Sequence, residues 1–224
     1  MRGGYAARTF TSDGFGITVF SCTAFATSAS ASYSGTAAAN YANTYAINNN
    51  PQYISYSEDC TNFVSQAMYA GGFAFVNPNG SPTNLANWWD FNAVNRYAYS
   101  GQVASSNSAT VAGDLWQFLH LDNPGGTFEG SFYYNGGWNT APAFTPNSVI
   151  TGDVLFYDWG QGLGISHAAM QVGWGTDQYG YYGNWVDEHT NNRQDIFWTL
   201  NDAPGNTNWA TTTVYFEHIW ASNP

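Results

Sequence analysis

The sequence predicts an α+β fold in which N-terminal helices pack on a C-terminal antiparallel sheet. Three observations predict it. Apolar residues between Tyr33 and Met68 recur at helical steps, and from Gly152 onward short runs rich in Val, Phe and Tyr are separated by Gly-containing turns. The helical and strand-like stretches are also segregated along the chain, whereas a parallel α/β protein would interleave them.

The first helix is expected over Tyr33 to Tyr45, where Ala37, Ala38, Tyr41, Ala42 and Tyr45 share one face and Asn48-Asn49-Asn50-Pro51 end it. A second follows in Ser57-Glu58-Asp59-Cys60-Thr61-Asn62-Phe63-Val64-Ser65-Gln66-Ala67-Met68. Phe63, Val64, Ala67 and Met68 make its apolar stripe, Asp59 is its natural N-cap, and Gly71-Gly72 close it. Residues 73 to 150 read as loops with substrate-contacting surface, apart from a helix around Val111 to Leu119. Strands are expected over Gly152–Asp158, Ser166–Val172, Tyr179–Val186 and Thr211–Trp220, joined as a meander.

Charged residues make up only 8% of the chain, against about 25% in an average globular protein. There is no lysine, and Arg2, Arg8, Arg96 and Arg193 cannot offset a net charge of -11, so no basic patch exists and nucleic acid is excluded as a partner. An aromatic content of 18%, spread along the whole sequence, separates the chain from disordered segments of similarly low charge. The length fits one domain, with no internal repeat and no long linker.

Residues 1–31 read as a secretory signal: Arg2 and Arg8 precede an apolar stretch from Phe15 to Phe25, and Ala29-Ser30-Ala31 supplies small residues for cleavage. Lipid attachment at Cys22 is the weaker reading, because Phe20 is bulky where small residues are usual. The remaining domain, 32–224, is then expected outside the cell. It has no run of about 18 apolar residues that would span a membrane. Cleavage after Ala31 leaves Cys60 as the only cysteine, without a disulfide partner.

The register of the second helix puts Cys60 in its first turn, where unpaired N–H groups and the helix dipole favour a thiolate. A thiol of ordinary pKa, about 8.5, also needs a base. His167, which begins an apolar strand after the flexible run Trp159 to Gly164, is the best candidate. His189, at the end of the following strand, is placed to orient it. Glu188, Asp187 and Asn191 are competing acceptors, and strand alternation puts Asp187 and His189 on one face and Glu188 on the other. His120 and His218 read as packed or half-exposed. A zinc site built from Cys60, His167 and His189 is the rival chemistry, but neither H-E-x-x-H nor a paired C-x-x-C is present, so no metal or cofactor is expected.

These residues resemble a known family, the putative amidase domain of exported actinobacterial and firmicute proteins. That family is itself similar to the NlpC-like and CHAP branches of the papain-like cysteine peptidases. The resemblance spans about Tyr33 to Trp220. It rests on Asn50-Pro51-Gln52-Tyr53, the run from Asp59 to Gln66, Trp88-Trp89, the helix around Leu115 to Leu119, Gly152-Asp153-Val154, His167-Ala168-Ala169 and Glu188-His189-Thr190. It implies a papain-like fold with nucleophile Cys60 and base His167. The NlpC-like pattern carries the orienting role onto His189, and the CHAP pattern would favour Glu188. It further implies a secreted cysteine hydrolase, expected to be a monomer, that cleaves an amide or peptide bond in bacterial peptidoglycan or derived peptides. The alternative is a non-catalytic cell-wall or carbohydrate-binding module on the same fold. The pairs Trp88-Trp89, Tyr133-Tyr134 and Tyr181-Tyr182 are then either a stacking groove or core.

Overall fold

The computed structural model describes residues 32–92, 103–122, 125–134, 141–200 and 209–220. The expected signal segment, residues 1–31, lies outside them. The elements run α1 (Gly35–Tyr45), α2 (Cys60–Ala70), α3 (Asn107–Thr110) and α4 (Ala112–Gln117), which continues into a π-helical turn, Phe118–Asp122. They go on with β1 (Gly126–Tyr133), β2 (Val154–Asp158), β3 (Ile165–Thr176), β4 (Tyr182–Glu188), β5 (Arg193–Phe197), a 3-10 turn at Trp209–Thr211, and β6 (Thr213–Ile219). The class is α+β as expected, and all described strand pairings are antiparallel.

The six strands are ordered β1-β6-β2-β3-β4-β5. Strands β2, β3 and β4 run as the expected meander and β5 extends it, but β6, expected to follow in the meander, instead returns to pair with β2 and carries β1 on its outer side. The two strands that sequence patterning did not anticipate, β1 and β5, are the two edges of this sheet. Edge position is the physical reason: β1 exposes Thr127, Phe128, Ser131 and Tyr133, polar and apolar alike, and β5 opens with Arg193-Gln194-Asp195, so neither shows a clean alternation.

Period-two alternation divides the core into two layers. Val154 and Phe156 of β2, Ala168 and Met170 of β3, and Ile219 of β6 face the helices. There they meet Ala38 and Ala42 of α1, Phe63, Val64, Ala67 and Met68 of α2, and Leu115 of α4. Leu155, Tyr157, Ala169, Val186, Val214 and Phe216 face the other way, toward Tyr134, Trp198 and Leu200. Helix α2 is buried from Cys60 through Met68, and its larger apolar side chains are each worth about 1.5–3 kcal/mol of burial. Trp88 and Trp89 are fully buried, as is Tyr134, which donates its hydroxyl to the Thr199 carbonyl; of the residues considered for a stacking groove only Tyr133 and Tyr182 are exposed. Of the two readings, core therefore holds for Trp88, Trp89 and Tyr134.

Two glycines let α1 settle on the sheet. A Cβ at Gly35 would lie 2.0 Å from the Thr151 carbonyl oxygen, and one at Gly152 would lie 2.1 Å from the Gly35 Cα. Gly152 also has φ +95, a left-handed conformation that glycine adopts without steric cost. Tyr33 closes the contact by donating its hydroxyl to the Gly152 carbonyl at 2.5 Å.

Candidate active site

Helix α2 begins at Cys60, with Asp59 in the N-cap position. The Asp59 side chain does not cap the helix as the sequence suggested. Its backbone is at φ -114, ψ 2, and the carboxylate turns away from the first-turn amides: Oδ1 accepts from the Tyr56 amide at 2.9 Å and from Asn62 Nδ2 at 2.7 Å, and Oδ2 faces His189. The Asp59 amide in turn donates to the Thr190 hydroxyl at 2.9 Å. The first-turn amides of α2 have no intrahelical acceptor and stand beside the Cys60 side chain.

Cys60 and His167 are brought together. Both are nearly buried, at 6% and 5% exposure, and thiol and imidazole lie close enough for each to act on the other's ionisation. Further contacts come from the Thr61 hydroxyl, 3.6 Å from Sγ, and from the Ala168 backbone amide. Burial by itself pushes the Cys60 thiol up, but the charge and hydrogen bond of His167, with the Thr61 and Ala168 donors, outweigh it and bring the thiol below its ordinary value. Burial likewise works against an imidazolium at His167. The Cys60 and Glu188 charges reverse that and push His167 up to about 10. The two shifts favour a thiolate–imidazolium pair. Trp159 and Tyr157 pack beside the imidazole, with ring centroids 5.5 and 5.6 Å away.

The carboxylate in contact with His167 is that of Glu188. Its Oε2 is hydrogen-bonded to His167 Nε2, which leaves Nδ1 to face the thiol. Glu188 is 1% exposed, and its other oxygen accepts from Arg193 NH1 at 2.5 Å. The sheet register explains the choice. Met170 lies opposite Asp187, so one step further along each antiparallel strand Ala169 and Glu188 share the opposite face, and His167 is on that face too. His167 and Glu188 are thus diagonal neighbours, within reach of long side chains.

His189 points the other way, toward the helices. Its Nδ1 is 2.7 Å from Asp59 Oδ2, its Nε2 donates to the Tyr45 carbonyl at 2.8 Å, and its ring stacks on Phe63 at 4.0 Å. His189 therefore does not contact His167 as expected: consecutive strand residues face opposite sides, and it is Glu188, the alternative, that reaches the imidazole. Asp187 is also turned away, with its carboxylate accepting from the Asp195 amide at 2.8 Å and raised to about 7 by burial. His120 and His218 are partly buried and away from the thiol. His218 Nδ1 lies 3.0 Å from Asp153, and His120 Nδ1 lies 3.8 Å from Glu217.

Patterning missed Arg193, Thr190 and the Ala168 amide. Arg193 had one available signal, as the only basic residue in the strand-forming third of a chain without lysine. It also lines a cleft of about 760 Å³ with Ile47, Tyr179, Asn191, Asn192 and Gln194. Among the described residues no group of three His, Cys, Asp or Glu side chains is placed to hold a metal ion, and no helix is long and apolar enough to cross a membrane.

The family described as a putative amidase domain matches residues 32–215. The uncharacterized protein YhbB of Bacillus subtilis (strain 168) is 26% identical over 140 residues, which is 62% of this chain and 37% of that protein, so the match spans well under two thirds of the relative. No solved structure matches the chain.

Proposed function

We propose that this chain, which belongs to the putative amidase domain family, is a cysteine-dependent hydrolase of amide or peptide bonds on a papain-like arrangement of helix and sheet. Family membership points to hydrolysis of a C–N bond. The observation that supports the cysteine mechanism is the chain of contacts Cys60–His167–Glu188, which joins a thiol at a helix start to a base held by a buried carboxylate. The thiolate attacks the carbonyl carbon, and the first-turn amides of α2 receive the developing oxyanion. The His167 imidazolium gives its proton to the departing amine, leaving a Cys60 thioester. Neutral His167 then takes a proton from water, whose hydroxide displaces the thiolate and releases the acid. Glu188 keeps the imidazole in register through both transfers.

The proposed substrate is peptidoglycan or a peptide derived from it, acted on by a secreted, monomeric protein; the family resemblance of the sequence supports this. The test is alkylation of Cys60 by an iodoacetamide probe from pH 5 to 9, comparing the native protein, His167→Ala and the guanidine-unfolded chain. At pH 6 the native thiol is expected to react about 10- to 100-fold faster than either control, since an ordinary thiol is almost wholly protonated there. A screen for fragments released from peptidoglycan follows. Labelling no faster than in the unfolded chain sinks the mechanism and shifts the reading to a wall- or carbohydrate-binding module.

A further inference from the structure

We infer that Arg193 is a positioning residue of this site, a guanidinium clamp on Glu188 Oε1 that keeps Oε2 aimed at His167 Nε2. The inference rests on the cysteine-hydrolase reading and extends it to a residue that touches neither thiol nor imidazole. Three observations carry it. Glu188 and Arg193 are directly opposed in the β4–β5 register, so the side chain reaches the carboxylate across a strand pair. The two Glu188 oxygens are divided between His167 and Arg193, and both charged partners of the carboxylate are themselves nearly buried. Arg193 is the only Lys or Arg among the described residues, and it is placed here.

Charge balance gives the clamp its consequence. A Cys60 thiolate, a His167 imidazolium, a Glu188 carboxylate and the Arg193 guanidinium sum to zero. The other titratable groups that act on Glu188 are Asp187, its chain neighbour, and Tyr157 of β2, and neither supplies positive charge. Asp195, beside Asp187, adds none. Without Arg193 the buried set carries a net negative charge, which is relieved by taking up a proton at the thiolate or the carboxylate. Protonation at either place dissolves the pair on its acid side.

The experiment is the pH profile of Cys60 alkylation by iodoacetamide in the wild type, R193M, R193K, E188Q and E188Q/R193M, with near-ultraviolet circular dichroism confirming the fold. In R193M the acid limb is expected to move up by about one pH unit, a loss of about 10-fold at pH 6 that closes by pH 8.5. R193K, which keeps the charge, recovers most of it. On the E188Q background R193M adds less than about 2-fold, because the clamp has nothing left to hold. This double variant also serves if R193M alone does not fold, since it contains no unpaired carboxylate. A reactive wild-type thiol whose profile R193M leaves in place, or a full R193M effect on the E188Q background, overturns this inference alone. A wild-type thiol that reacts like the unfolded chain overturns the catalytic reading and this inference with it.

Discussion

Glu188 and His189 are adjacent in sequence but make separate contacts, and the proposed mechanism gives them separable work that two substitutions resolve. Glu188→Gln replaces a charge-assisted hydrogen bond to His167 Nε2 with a neutral one. Hydrogen bonds to charged groups are worth about 1.5–3 kcal/mol, and each 1.4 kcal/mol is tenfold, so Cys60 alkylation at pH 6 is expected to fall about 10- to 150-fold. His189→Ala instead strips Asp59 Oδ2 and the Tyr45 carbonyl of their partners and removes the ring stacked on Phe63. Leaving a buried acceptor without its partner costs about 1–3 kcal/mol, and with two left here the Tm of a domain of this size is expected to fall by about 4–24 °C. The folded fraction keeps its thiol in place, because Asp59 Oδ1 still accepts from Tyr56 and Asn62. Its alkylation rate is therefore expected to stay within about 3-fold of wild type. The assay pairs thermal melts with alkylation kinetics measured well below each Tm. A folded His189→Ala protein that loses as much reactivity as Glu188→Gln would falsify the division of roles.

Two further predictions concern the scaffold. Glu217 is fully buried, neither of its carboxylate oxygens has a hydrogen-bond partner among the described residues, and burial, with Glu129 and Asp153 adding to it, pushes it from 4.5 up to about 8. A carboxyl raised in the folded state contributes stability below its unfolded value that is lost as pH rises toward the folded value, so Glu217→Gln is expected to stabilise the protein by about 2–3 kcal/mol at pH 7 and by nothing at pH 4. Chemical denaturation at the two pH values checks it, and equal effects at both count against it. Gly152→Ala places a methyl group against Gly35 in a left-handed backbone, and is expected to cost about 3 kcal/mol or more, seen as a Tm lower by about 6–12 °C.

The helices and the inner strands were legible because each buries a continuous stripe: Phe63, Val64, Ala67 and Met68 announce α2, and Val154 through Tyr157 announce β2. The edge strands were not legible, since half-exposed residues carry no such pattern. At the site, Cys60 and His167 could be read from their positions at a helix start and a strand start. For the orienting residue the sequence favoured His189 and left Glu188 and Asn191 open; alternation set Glu188 and His189 on opposite faces without saying which face His167 shares. What the sequence did not supply was the register that puts His167 on Glu188's face. The interval of 22 residues from His167 to His189 is simply the length of a long hairpin, with Thr176 paired to Tyr182 near its turn.

That register has a consequence for how the two reacting groups are held relative to each other. Three consecutive residues at and just past the end of β4 reach His167 and Asp59, the residue immediately before Cys60. Glu188 holds His167 on one face of the sheet, His189 holds Asp59 on the other, and the Thr190 hydroxyl receives the Asp59 amide immediately before Cys60. In the proposed mechanism the nucleophile comes from a helix and the base from a strand, elements more than a hundred residues apart, and their separation has to be kept to a fraction of an ångström for proton transfer. One backbone segment gripping both removes the error that would accumulate through the packing between them. The hairpin continues the same segment into Arg193, which returns to the free oxygen of Glu188. The precision of the dyad is therefore set by a local hairpin, and substitutions that alter the β4–β5 register act on the thiol and the imidazole together.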